Sequence, residues 1–115
     1  MALTFVVATL AAACFVAAAL GSLAPRRRAL VAVVGIVLDW IPVAAGWMSV
    51  DAAPSPVTLA IHFGFGIVGY LLLGYCLLGW VSARERPHRV RLAFVGIWGI
   101  AYLAGVAMAI ESLLR

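Results

Sequence analysis

Residues 21–28 read Gly-Ser-Leu-Ala-Pro-Arg-Arg-Arg, and residues 82–91 read Ser-Ala-Arg-Glu-Arg-Pro-His-Arg-Val-Arg. These two stretches hold seven of the eight basic residues of the chain, all of them arginine. Around them run four long apolar segments. Residues 2–24 carry no charge, residues 29–50 carry only Asp39, residues 57–83 carry only His62 as an ionisable group of note, and residues 92–110 carry none. Each is long enough to cross a ~30 Å hydrocarbon core as a helix, which takes about 20 residues. The 115 residues are 67% hydrophobic, with a mean hydropathy of +1.19. A soluble domain of that composition would lack the polar residues to cover its surface. A β-barrel would alternate apolar and polar positions instead of running continuously apolar.

The expected fold is therefore all-α: a polytopic membrane protein built as an antiparallel up-down four-helix transmembrane bundle. Residues 1–115 form one transmembrane domain, with helices at about 2–24, 29–50, 57–83 and 90–112. The short connections force neighbouring spans to run antiparallel. Pro54 and Pro56 separate the second and third helices, and Pro87 separates the third and fourth. No arginine precedes the first apolar segment and three follow it, opposite to the polarity of a signal peptide, so that segment reads as a retained helix.

The arginine asymmetry gives an orientation. The first and third loops lie on the cytoplasmic side, and the middle loop, with Asp51 and no basic residue, lies outside with both termini. The net charge of +4 then belongs to the cytoplasmic face. Arg26, Arg27, Arg28, Arg84, Arg86, His88, Arg89 and Arg91 are expected at the level of anionic lipid headgroups. Topology accounts for the basicity, so no nucleic acid partner is expected. The absence of lysine and the abundance of Ala, Val and Gly fit a GC-rich prokaryote. The expected location is a prokaryotic cytoplasmic (inner) membrane.

A polar side chain in hydrocarbon calls for a reason. Asp39 sits halfway along the second helix, on a face shared with Gly35, Pro42 and Gly46. Small residues there let another backbone approach, so that face turns inward. Tyr70 and Tyr102 fall at the depth of Asp39, and either phenol can donate to it. Asp39 is either a proton- or ligand-carrying carboxylate or a hydrogen-bonded residue that fixes bundle register. His62 shares its face with Gly66, Gly69, Leu73, Cys76 and Trp80. The two glycines make a flat groove for a helix backbone or for a planar ring such as a porphyrin. The alternatives for His62 are a hydrogen bond to a neighbour such as Thr9, a haem or quinone contact, or a metal ligand. His88 is roughly 39 Å away along the third helix, so the two histidines cannot share one haem within a monomer.

Cys14 and Cys76 differ in depth and form no Cys-x-x-Cys pair, which excludes a thiol oxidoreductase motif. Glu111 reads as interfacial, and Trp47 and Trp80 as anchors at opposite interfaces. Ala101, Gly105 and Ala109 form a small-residue stripe expected to pack closely on another helix. No catalytic residues and no metal site emerge.

The second half of the chain carries Leu59-Ala60-Ile61-His62, then His88-Arg89, then Ile97-Trp98, Tyr102 and Gly105-Val106. In this order it resembles the YozB-like family of small multi-helix membrane proteins, whose members are associated with maturation of haem-copper oxidases. The resemblance implies an accessory or assembly role near a respiratory complex, with His62 and His88 as the positions carried over. Where that family has a histidine after an early helix, this chain has only Arg26-Arg27-Arg28. The functional expectation is a non-catalytic integral membrane accessory or assembly protein of a respiratory or other energy-converting complex. It would have no cofactor, and other membrane subunits or a second copy as partners. The alternatives are a small dimeric transporter with Asp39 as coupling carboxylate, and a compact b-type haem protein using His62.

Overall fold

The computed structural model describes residues 2–46 and 55–114. It contains α1 (Ala2–Leu20), α2 (Pro25–Ala44), α3 (Pro56–Val81) and α4 (His88–Leu113), and no strand among the described residues. Prolines set two of the starts. Pro25 and Pro56 open α2 and α3, where the missing N–H costs nothing and the fixed φ suits the first turn. Pro87 stands just before α4 as its N-cap.

The chain is an all-α, antiparallel up-down four-helix bundle. α1 packs along α2 and α3 along α4, while narrower contacts join α1 to α4 and α2 to α3. The helices thus form a square whose two hairpins meet along two seams. Three helices, α1, α3 and α4, are long and apolar enough to cross a membrane. α2 differs from the expected 29–50. It begins at Pro25 and takes all three arginines into its first turn. Its apolar part, Ala29–Ala44, is about 24 Å long at 1.5 Å per residue. Residues 47–50 lie outside the described residues, as does Trp47. The other helices also shift by a few residues, because Gly21 and the turn after Val81 end α1 and α3 earlier than their apolar composition does.

The core sits towards the arginine-bearing end. Phe15, Leu73, Cys76, Trp80 and Phe94 are its largest fully buried side chains. The Phe15 ring packs edge-on against Trp98, Phe94 and Tyr70, with centroids 4.9, 5.7 and 6.3 Å away. Burial of Trp80 corrects its expected role as an interface anchor. It shares the i, i+3, i+7 face of Leu73 and Cys76, and that face points into the bundle. Around α1 the contacts are made by small residues. Ala11, Ala18 and Ala19 of α1 and Ala29 and Ala32 of α2 are buried in one core cluster. At Gly35 a methyl group would stand 2.8 Å from Phe15 Cε1 and 3.1 Å from Cys14 Cβ. The outward positions are long and apolar: Leu71, Leu78 and Leu103 are 64–72% exposed. Such a surface suits lipid as its solvent.

The helix ends are closed by recognisable devices. At the end of α3 the Arg84 N–H donates to Gly79 O at 2.8 Å and the Ala83 N–H to Trp80 O at 3.0 Å. This is the Schellman pattern, and Ala83 occupies its left-handed position at φ 58°. Gly46 takes the matching position after α2 at φ +69°. It lies beyond the helix and is exposed, so it does not belong to the inward Asp39 face as the sequence pattern predicts. At the opposite end of the bundle from the arginines, Glu111 accepts from the Ser55 N–H at 3.2 Å and from the Thr58 hydroxyl at 3.3 Å. A carboxylate from α4 thus caps the N-terminus of α3, where the helix dipole favours negative charge.

Candidate functional site

Each seam between the hairpins is bridged by one tyrosine hydroxyl. Counted from the arginine end, Thr9 lies eleven residues before Leu20, Asp39 eleven after Arg28, Tyr70 eleven before Val81, and Tyr102 eleven after Arg91. Each thus lies about 16 Å along its helix from Leu20, Arg28, Val81 or Arg91. Tyr70 donates to Asp39 Oδ2 across the α2–α3 seam. Tyr102 meets Thr9 Oγ1 at 2.9 Å across the α1–α4 seam. The Thr9 hydroxyl already donates to Phe5 O at 2.8 Å. With one proton per hydroxyl, Tyr102 is the donor to Thr9. Of the two phenols within reach of Asp39 by depth, α3 therefore supplies the partner and α4 does not. Gly35 and Pro42, on the Asp39 face, are both buried. The Trp40 ring tilts against Tyr70 at 6.3 Å.

His62 does not meet Thr9. Its Nδ1 lies 2.8 Å from Ala101 O on α4. A carbonyl can only accept, so Nδ1 carries a proton and donates this bond. Gly105 makes this contact possible: a methyl group there would lie 3.2 Å from His62 Cε1 and 3.3 Å from Nδ1. The glycine face below His62 is covered by the same helix. A methyl at Gly69 would meet Trp98 at 3.3 Å, and one at Gly66 would meet Ala101 at 4.0 Å. Helix α4 thus fills the groove in which a planar ring would lie. His88 is exposed in the first turn of α4, at the far end of the hairpin. The Ala101–Gly105 part of the small-residue stripe faces α3, while Ala109 is partly buried. Cys14 and Cys76 are both free thiols.

The arginine end is more ordered than a headgroup-level cluster would be. Arg28 is buried, and its Nη1 donates to Ala18 O at 2.8 Å and Ala19 O at 3.2 Å. From α4, Arg91 Nη1 reaches the same Ala19 oxygen at 2.8 Å. Two guanidinium groups therefore cap the C-terminus of α1, where carbonyls lack helical partners and the dipole favours cations. Glu85 Oε1 lies 3.2 Å from Arg28 Nε. That nitrogen makes no aligned hydrogen bond, so the contact is an ion pair without hydrogen-bond geometry. Arg86 lies over Gly79, donates through Nε to Tyr75 O at 2.9 Å, and stacks 3.9 Å from the centroid of the Tyr75 ring. These contacts correct the expectation that all seven arginines and His88 face headgroups. Arg28 and Arg91 turn inward to the end carbonyls of α1, and Arg86 turns back over α3 to the Tyr75 carbonyl and ring. Arg26, Arg27, Arg84, Arg89 and His88 remain exposed.

Sequence reasoning misses Arg28, Arg91 and Glu85 as a tie between hairpins, and Glu111 as a cap. The signal for the cap is the lack of acidic residues in the first turn of α3, and for the tie the lack of basic residues in the last turn of α1, which leaves those ends to be satisfied from elsewhere. Among the described residues, no three His, Cys, Asp or Glu side chains converge to hold a metal ion. Comparison of the chain with protein-family models, curated proteins and solved structures gives no match.

Proposed function

We propose that this chain is a non-catalytic integral membrane accessory or assembly protein of a respiratory or other energy-converting complex, as the likeness of its second half to the YozB-like proteins implies. The observation that carries the reading is how the interior polar groups are used. His62 is hydrogen-bonded to α4, Asp39 to Tyr70, and Thr9 to Tyr102. Each joins two helices, so each is accounted for by packing. Small residues also remain on the outside. A methyl group at Gly64, Gly74, Gly96 or Gly99 would meet nothing within 4 Å. Glycine on an open apolar face lets a neighbouring helix approach closely, which suits a subunit-binding role with another membrane protein or a second copy.

In this reading the protein lies in a prokaryotic cytoplasmic membrane, with α2 as its fourth span, the arginine end in the cytoplasm and both termini outside. A cysteine placed at Ser55 is then labelled from outside, and one at Ala83 is not; the reverse pattern refutes the orientation. Mild solubilisation of native membranes should recover the chain with stoichiometric membrane subunits. Gly64→Leu with Gly96→Leu should lose those subunits while the helical content stays. Recovery of a partner-free chain from native membranes contradicts the proposal. The transporter alternative rests on the Asp39–Tyr70 pair within the bundle. It predicts uptake or efflux in proteoliposomes that Asp39→Asn abolishes. The haem alternative predicts a Soret band in the purified protein.

A further inference from the structure

We infer that the arginine end is a divided surface. Arg26, Arg27, Arg84 and Arg89 bind the phosphodiester groups of anionic glycerophospholipids, while Arg28, Arg86 and Arg91 are internal ties with no part in lipid contact. The division follows from the partners of each side chain. The second set is held by the carbonyls of Ala18, Ala19 and Tyr75 and by the Tyr75 ring. The first set is exposed, with His88 beside it. Glu85 is the only acidic residue in the two loop segments, and it is paired with Arg28. The four exposed cations therefore have no carboxylate of the chain in their loops to neutralise them.

The backbone adds to the same charge. α2 and α4 both begin at this end, with Ala24 and Pro87 as N-caps, no side-chain cap and no acidic residue in the first turn. Proteins commonly place Asp or Glu at such a positive helix end; here the first turns carry Arg26 and Arg27, and Arg89. Three of the four exposed arginines, Arg26, Arg27 and Arg89, thus sit on two positive helix ends, and an anion is the complement of both. A lipid phosphate is the source the fold favours. The cluster lies where α1 and α3, two of the apolar helices able to span a membrane, end, which is the level of the phosphate layer. Basic residues near a membrane surface contribute about 1 kcal/mol each, or about fivefold in affinity. Loss of four should lower the preference for an anionic lipid by on the order of several hundredfold if additive, and by at least tenfold with screening.

The test uses the full chain reconstituted from detergent into nanodiscs of equimolar phosphatidylglycerol and phosphatidylcholine, where insertion bias in the cell plays no part. Native mass spectrometry reads the ratio of the two lipids retained, and Trp fluorescence reads the unfolding midpoint. The wild type should retain phosphatidylglycerol in excess. The combined Arg26→Gln, Arg27→Gln, Arg84→Gln, Arg89→Gln variant should retain the two lipids equally and melt like the wild type in pure phosphatidylcholine. Arg28→Gln should melt earlier in either lipid and keep the excess. The inference is overturned if the fourfold variant keeps the excess, or if Arg28→Gln loses it with an unchanged midpoint. It is also overturned if inorganic phosphate in detergent, at matched ionic strength, raises the midpoint as far as phosphatidylglycerol does, because the site would then select a soluble anion.

Discussion

Gly35→Ala places one methyl group at the tightest point of the first hairpin. The added carbon would lie 2.8 and 3.0 Å from two carbons of the Phe15 ring and 3.1 Å from Cys14 Cβ. Carbon pairs rest at about 3.5–4.0 Å, so either α1 and α2 separate by several tenths of an ångström or the ring turns. Phe15 is 1% exposed and holds edge contacts with Tyr70, Phe94 and Trp98. Turning it disturbs three pairs worth about 0.5–1.5 kcal/mol each. Overpacking of this kind costs about 1–3 kcal/mol, against a helix-propensity gain of about 1 kcal/mol for replacing glycine by alanine. The expected net loss is about 0–2 kcal/mol, centred on about 1 kcal/mol. The control is Gly64→Ala, where the methyl meets nothing within 4 Å and only the propensity gain applies. Unfolding of both variants in one detergent, followed by circular dichroism, should therefore give shifts of opposite sign. Adding Phe15→Leu should recover part of the Gly35→Ala loss, as a coupling between touching residues. Shifts of the same sign in the two glycine variants, or a Gly35→Ala loss indifferent to Phe15→Leu, would refute the packing argument.

Three further outcomes follow from the same geometry. Ala83→Gly removes a left-handed non-glycine residue at φ 58° and should stabilise the bundle by about 1 kcal/mol, read as a higher melting midpoint. Tyr70→Phe deprives Asp39 of its donor and should cost about 1–3 kcal/mol; Asp39→Asn keeps an acceptor for Tyr70 and should cost less than Tyr70→Phe in the same denaturation series. Arg91→Gln withdraws a charged donor from Ala19 O, 2.8 Å away, and should cost about 2 kcal/mol. Hydrogen exchange should then rise in the last turn of α1 before it rises elsewhere.

Four helices, their antiparallel order and the inward face of Gly35 and Pro42 are legible in the sequence, because apolar length and small-residue spacing are local properties. The pairing of Asp39 with Tyr70 is half legible. Depth along each helix brings in both tyrosines, but only the order of helices around the square selects Tyr70. The arginines show the limit most clearly. Arg26, Arg27 and Arg28 are consecutive and each is turned about 100° from the last. Only the rotation of α2 against α1 decides that Arg28 is the one to be buried. His62 and Gly105 are each visible as features of their own helices, yet their contact depends on the relative slide of α3 and α4. The Leu73, Cys76 and Trp80 spacing does carry the signal that Trp80 is a core residue, although its position near the end of a span argues for the interface.

The double capping of α1 has a consequence for biogenesis. Ala19 accepts from Arg28, nine residues on, and from Arg91, 72 residues on. As the chain emerges, the first hairpin can satisfy the end of α1 only in part. The second guanidinium arrives once α4 has begun to insert. Ala19 O therefore has one charged donor when the first hairpin closes and gains its second, at 2.8 Å, only when α4 packs. The register of the earliest helix is thus set finally by a residue of the last.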